Sequence, residues 1–573
     1  MSVTTYQPEP IPRRRLNDQT RLTTWAEIEP WYRELVERPI SSARDLEEWL
    51  ADFDELQSAV GQERERRHIA MTCQTDDPAR EAAYLEFLRD VDPHVKSVVN
   101  TLRSKYLDCP FRAELPPETT APLTRLWANR RDLFREANIP RETELAELGQ
   151  SYQKIIGAMT VTFQGEERTL AAMAKFQEET DRAVREQAWR LTTQRRLQDK
   201  ETLDDLFDKM IRLRVEIARE AGFADYVAYA YRDRERFDYD RSAAADFQKA
   251  VETEVVPLAR QLREQRRQRL GVERLRPWDL AVDPLGRPPL RPFDDAQRLA
   301  TGCQAVFNAI DPELGARFEY LRTHDLLDLA NRKGKAPGGY QTTLEFQRLP
   351  FIFMNAVGVD DDVRTLLHEG GHAFHTLEAR HLPYGPLREA PIEFCEVASM
   401  TMELFGANDL APFYQPDQAA RSHRQLLEGI VTILPWIATV DAFQHWVYDH
   451  PDHDRAQRRA AWSDLMDRFN TGVDWSDLDE AKAHTWHRQL HIFLYPFYYI
   501  EYGLAQIGAL EIWKRSLDDR AGAVAAYRRA LSLGGTRPLP ELFHAAGARF
   551  DFSPRTIGPL MATIQDELAK LPE

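Results

Sequence analysis

The chain has few cysteines, four among 573 residues, at 73, 109, 303 and 395. None forms a C-x-x-C pair and all lie far apart. This excludes a disulfide framework and a cysteine zinc site, and fits a reducing compartment. A basic excess is also lacking: 75 Lys and Arg stand against 92 Asp and Glu, a net charge of −17. Nucleic-acid binders usually show the reverse balance, and this surface should repel phosphate backbones on average. The basic run 263–269 reads as a solvated helix face. Long apolar runs are missing too. The most apolar internal stretch, 429–440, contains Pro435 and is too short to span a bilayer. The opening residues show no apolar signal region. The expectation is a cytoplasmic protein with no nucleic-acid and no membrane partner. Nothing in the sequence demands an oligomer, so a monomer is expected.

What is present is mostly helix. Ala, Leu, Glu, Arg and Gln dominate, with apolar residues at three-to-four spacing, clearly at 46–67, 143–159, 177–196 and 203–221. Residues 1–200 carry no catalytic constellation and read as a helical scaffold, with a catalytic region over 201–573. The Pro-rich stretch 276–293 denies the backbone donors that helices and central strands need, and reads as a connection. From 333 to 355 glycines give way to Thr, Phe, Tyr and Ile, the best strand or hairpin candidate in the chain.

Residues 368–372 read His-Glu-Gly-Gly-His. On a helix, residues i and i+4 share one face, so His368 and His372 can reach one ion. Glu369 between them can take a proton from water at that ion. Asp360, Asp361 and Asp362 suit the positive end of the same helix. The bland alternative is a pair of exposed helical histidines. A third ligand would favour zinc, which in catalytic sites takes three protein ligands and leaves one position open. Downstream, an apolar helical segment carries Glu393, Glu396 and Glu403, acids that need partners if buried. Glu396, 24 residues past His372, is assigned as the ligand. Glu403, two turns further on the same face, could orient a ligand histidine. His375 shares the ligand face and reads as support or packing. Cys395 reads as a small apolar filler. The run 449–454, rich in Asp and His, reads as a solvated loop. His484, His487 and His491 fall at helical spacing, but no acid completes a second metal site. His491 is followed by Tyr495, Tyr498, Tyr499 and Tyr502. This is either an aromatic core helix or a source of donors for charge developing on a carbonyl oxygen.

HEGGHAFH, then E-x-A-S-M with a further Glu, then H-I-F-x-x-PFYYIEY-G-x-A, resembles the oligoendopeptidase F branch of the thimet oligopeptidase family. The segments RKGKAPGGYQ, LPFIFMN and HWVYDHPDHD and the closing AAGARFDFS agree. The resemblance is specific over most of 200–573. It implies a mainly α, zincin-type ellipsoid with a deep channel and a small sheet. It also implies one zinc ion on His368, His372 and Glu396, with Glu369 as general base. His491 would help stabilise the transition state and Tyr502 would donate to the oxyanion. Tyr495, Tyr498 and Tyr499 would contact substrate, the choice among the tyrosines staying open. Gly338 and Gly339, in the expected hairpin, would lie along a substrate pairing as an added strand. The implied activity is hydrolysis of internal bonds in short peptides. A carboxypeptidase or dipeptidase on a related scaffold, or a silent peptide binder, are the alternatives.

Overall fold

The computed structural model describes residues 5–17, 19–170, 172–332, 334–336 and 338–572. The elements used below run in chain order. They are α1 (Ala43–Cys73), β1 (Thr160–Phe163), β2 (Glu166–Thr169), α2 (Arg182–Gln198) and α3 (Lys200–Glu220). There follow β3 (Leu327–Ala330), β4 (Tyr340–Leu344), β5 (Leu349–Ala356), α4 (Asp360–Ala379), α5 (Ile392–Gly406), α6 (Pro416–Asp449) and α7 (Tyr499–Asp518). The protein is mainly helical, as expected. The Pro-rich stretch is an extended connection apart from one short turn of helix at Pro277–Asp279.

Two compact units share the chain. One takes Met1–Asp132, Leu290–His423 and Gly508–Phe550; the other takes Leu133–Pro289, Arg424–Ile507 and Asp551–Glu573. The first holds an aromatic cluster around Trp49, Phe53, Tyr106 and Trp127. The second is built on Phe207, Phe443, Trp462, Trp486 and Phe493. Arg458 lies fully inside it, paired to the buried Asp204 at 3.2 Å. A charge this deep persists only with such a partner.

The hairpin expected at 333–355 forms: β4 pairs antiparallel with β5, Tyr340 opposite Phe353 and Leu344 opposite Leu349. Lys333 and Pro337 lie outside the described residues. A third strand went unforeseen. β3 runs parallel to β5, giving the order β3-β5-β4. Lys335 ties that pair together, its Nζ donating to the Ala330 carbonyl at 2.9 Å and to the Met354 carbonyl. The scaffold before residue 200 is also not purely helical. β1 and β2 form a hairpin across Gln164 (φ 54°) and Gly165 (φ 82°). Two left-handed residues match the turn that follows strand twist.

The stretch 429–440, expected to be too short for a membrane, sits inside the 34-residue α6. That helix is long and apolar enough to cross a bilayer, and 72% of its apolar window is buried within the protein. Its apolarity is therefore used in packing.

Candidate active site

α4 begins where the sequence placed it. Its first turn carries Asp360, Asp361 and Asp362. Asp362 accepts the backbone N–H groups of Val357, Gly358 and Val359 at 2.8–2.9 Å, satisfying donors that a helix start leaves open. Asp360 accepts the hydroxyls of Tyr414 and Ser422, both at 2.6 Å. The helix that carries the motif is thus pinned at its N-terminus from two directions.

α5 then lies unusually close to α4. A Cβ on Gly371 would stand 2.6 Å from the Ser399 Cα and 2.7 Å from the Ala398 carbonyl oxygen. Only glycine permits this backbone-to-backbone approach. It brings Glu396 to the two histidines: its Oε2 lies 3.4 Å from His368 Nε2 and 3.7 Å from His372 Nε2. Among the described residues this is the one His/Cys/Asp/Glu group whose ligand atoms all fall within 4.8 Å of each other. Ser399 donates its hydroxyl to Glu396 Oε2 at 3.1 Å. His368 Nδ1 donates to Glu403 Oε1 at 2.7 Å, so Nε2 is the nitrogen that an ion would take in exchange for its proton. Both histidines are only partly buried, Glu396 more fully.

This donor set fits a first-row divalent ion. Two imidazoles and a carboxylate converge, no thiol is present, and an outer carboxylate fixes the ring of one ligand. That combination suits zinc and its neighbours.

The electrostatics follow from burial and neighbours. Burial pushes His368 down, but hydrogen bonds to Glu396 and Glu403 outweigh it, and its pKa ends well above the usual value. Burial takes His372 down to about 4. Glu396 resists burial and is held at about 2, chiefly by its hydrogen bond to His368. Burial raises Glu369 to about 7, and the Gln341 backbone on β4 hydrogen-bonds its carboxylate. β4 is an edge strand of its sheet, and Gly338, with φ 95°, and Gly339 lead into it. His375 turns away from the cluster. It is buried edge-on to Phe394, its Nε2 has no hydrogen-bond partner, and burial drops its pKa to about 3. That is the packing role.

In the second unit, His491 gathers all four expected tyrosines. Its ring centroid lies 4.9 Å from Tyr499, 5.6 Å from Tyr498, 5.8 Å from Tyr502 and 6.2 Å from Tyr495. Gln489 was not anticipated. Its Oε1 accepts the Trp436 indole N–H at 3.0 Å, and its Nε2 lies 2.8 Å from His491 Nδ1. An indole nitrogen can only donate, so the amide oxygen must face Trp436 and the amide nitrogen must face the histidine. His491 Nδ1 therefore accepts, and Nε2 carries the proton. Burial, then Arg234, lowers its pKa to about 4, so at neutral pH it is a neutral donor.

Phe497 adds a second unforeseen feature. Its φ is 63°, a conformation bulky residues avoid. Gln444 holds its N–H at 2.7 Å, and Arg236 donates to its carbonyl while pairing with the fully buried Glu501 at 2.7 Å. Strain held this firmly marks a constrained site, and it sets where Tyr498 and Tyr499 start. The only early signal for Gln489 was its place two residues before His491.

The decoys resolve plainly. Of residues 449–454, Asp449 ends α6 and 450–454 form the loop to the next helix, Arg455–Arg468. His487 is spent on Asp204 at 3.2 Å. Cys395 is an unpaired thiol whose pKa burial pushes up.

Residues 175–557 match the family model described as peptidase family M3, and residues 19–134 match the peptidase M3 N-terminal domain. A solved structure described as an oligoendopeptidase F is 32% identical with a TM-score of 0.88, covering 97% of this chain and 98% of that one. PZ peptidase A, solved with an inhibitor, is 30% identical with a TM-score of 0.88, covering 97% and 99%. An oligoendopeptidase F structure from Bacillus anthracis str. Ames is 26% identical with a TM-score of 0.84, covering 96% and 98%. Oligopeptidase PepF of Bacillus subtilis (strain 168) is 25% identical over 251 residues, 43% of this chain; the match spans 37% of that relative's length.

Proposed function

The chain belongs to peptidase family M3, in its oligoendopeptidase F branch, and on that premise we propose that it is a zinc-dependent endopeptidase cutting internal bonds of short peptides. The observation that carries this reading is the convergence of His368, His372 and Glu396 beside a buried Glu369.

His368 Nε2, His372 Nε2 and Glu396 would hold one zinc ion. When bound, zinc supplies a Lewis acid and lowers the pKa of water at the open position. Glu369 takes the proton from the attacking water as the water adds to the scissile carbonyl, then passes it to the leaving amine. The Gln341 N–H holds that carboxylate in place. His491 Nε2–H and Tyr502 are assigned as donors to the oxyanion, with Tyr495, Tyr498 and Tyr499 contacting the peptide. Gly338, Gly339 and the open edge of β4 suit an extended peptide laid alongside as another strand. The four unpaired cysteines support a reducing compartment, and the proposed place of action is the cytoplasm, with the protein acting as a monomer.

The test is mass spectrometry of products from peptides of graded length, with zinc, with a chelator, and with Glu369→Gln. Internal cuts should appear only in the zinc-loaded wild type, and Glu369→Gln should lose about 10²–10⁴-fold in kcat while retaining one metal per chain. Release of single residues or dipeptides from one end would move the reading to an exopeptidase. Near-normal turnover by Glu369→Gln would sink the assigned base.

A further inference from the structure

In a chain with 17 more acids than bases, a pair of arginines without an acid between them is unexpected. The second unit has such a pair. A cavity of 250 Å³ is walled by Arg196 of α2 and by Arg488, with Trp189, Trp475, Thr193 and His484 around them, and among the described residues no carboxylate lines it. Among the described residues, neither guanidinium forms an ion pair within 4.0 Å. Their neighbours are otherwise engaged: Arg195 takes Asp199, and Lys200 takes Glu480. Arg488 lies over the Trp436 ring, 4.9 Å from its centroid.

Each arginine feels the lack of an anion. Burial lowers the pKa of Arg196 with only Tyr152 opposing. Burial lowers that of Arg488, and the like charge of Arg196 lowers it further. Arg488 as a whole residue is nonetheless exposed, so the space that it lines is reachable from solvent. Two arginines lining one small, aromatic-walled space suit a planar, singly charged anion, since guanidinium matches carboxylate in pairs of parallel hydrogen bonds.

We propose that the Arg196–Arg488 cavity is an anion site that takes a carboxylate, free in solution or at the end of a bound peptide. Its volume admits a carboxylate with a short stem. Arg488 adjoins Gln489, whose amide orients His491, and its charge reaches Tyr499. An occupied site therefore bears on the same cluster that the proposed function uses. The free-anion case stands without that function; the peptide case rests on it.

The experiment is thermal unfolding of the full-length protein against sodium acetate, for wild type, Arg196→Gln and Arg488→Gln in identical salt. Ligand that binds only the folded state raises Tm with saturation. Wild type should show that saturable rise and both variants should lack it. In low-anion buffer the variants should be at least as stable as wild type, because a repelling pair has been relieved. Parallel curves for all three proteins would overturn the site. The source is then read with Glu369→Gln protein and two labelled peptides differing only in a free or amidated C-terminus. Tighter binding of the free acid by about tenfold or more, erased by Arg488→Gln, assigns the site to peptide termini. Equal binding of both, with the acetate response intact, assigns it to a free anion.

Discussion

Around His368 the backbone sets the geometry. α4 and α5 touch through Gly371 and Ser399; His368 lies three residues before Gly371, His372 directly after it, and Glu396 three residues before Ser399, so every candidate ligand is within one turn of that contact. Around His491 the side chains set it. A glutamine held by an indole fixes the imidazole, and a buried Arg236–Glu501 pair holds a strained Phe497 where the tyrosines begin. The first arrangement tolerates almost no change in helix separation but places three ligands with few contacts. The second is spread over many polar contacts, each separately removable.

Breaking the first arrangement should have the largest effect. Gly371→Ala puts a methyl group into the Ser399 backbone, an overpacking that costs about 1–3 kcal/mol or more. Metal analysis after dialysis should fall well below one ion per chain, with a lowered Tm. Unchanged metal content would show that the helix contact does not set the site. Glu403→Gln keeps the helices but weakens the acceptor for His368 Nδ1. Competition with a chelator should show metal affinity reduced by about 10–100-fold.

The second arrangement should yield in smaller steps. Gln489→Leu frees the His491 ring without removing it. A fall of about tenfold in kcat with KM little changed is expected, below the ~10²–10³-fold that losing an oxyanion donor costs. A loss confined to KM would make Gln489 a binding residue instead. The smallest effect is on stability against pH. His491 titrates near 6.5 when unfolded and at about 4 when folded, through burial and Arg234. Between those values the unfolded chain binds a proton that the folded chain does not, so stability rises with pH across that window. Denaturation curves at pH 4.5 and 7 should differ less for His491→Asn than for wild type.

The same contrast explains what could be read in the sequence. His368, Glu369 and His372 are legible because helix geometry turns an i, i+4 spacing into proximity. Glu396 and Glu403 followed from acids on an apolar helix. Gly371 was visible as a letter, but its contact with Ser399 depends on how two helices pack, which spacing does not encode. His491 and its four tyrosines stood out as a run in the sequence and only their roles came from family resemblance, while Gln489 and Phe497 were missed because their roles depend on Trp436, Gln444 and Arg236, all distant in sequence. β3 escaped notice because its parallel partner β5 lies across an irregular loop. The Gln164-Gly165 turn was readable in principle, since such a pair between Thr-rich and charged residues is a hairpin signal.

Each compact unit is assembled from three separate stretches of chain, and this governs timing. α5 packs against residues encoded far downstream: Tyr527 donates its hydroxyl to the Ala398 carbonyl at 2.9 Å, and Phe543 lies 5.9 Å from Phe394, ring to ring. During translation, both motif histidines leave the ribosome well before the segment that buries the helix beside them. The helix pair gains its full support only when Gly508–Phe550 has emerged, with the rest of the same unit already made. The order of the segments therefore delays completion of the α4–α5 pair until long after the motif itself has been made.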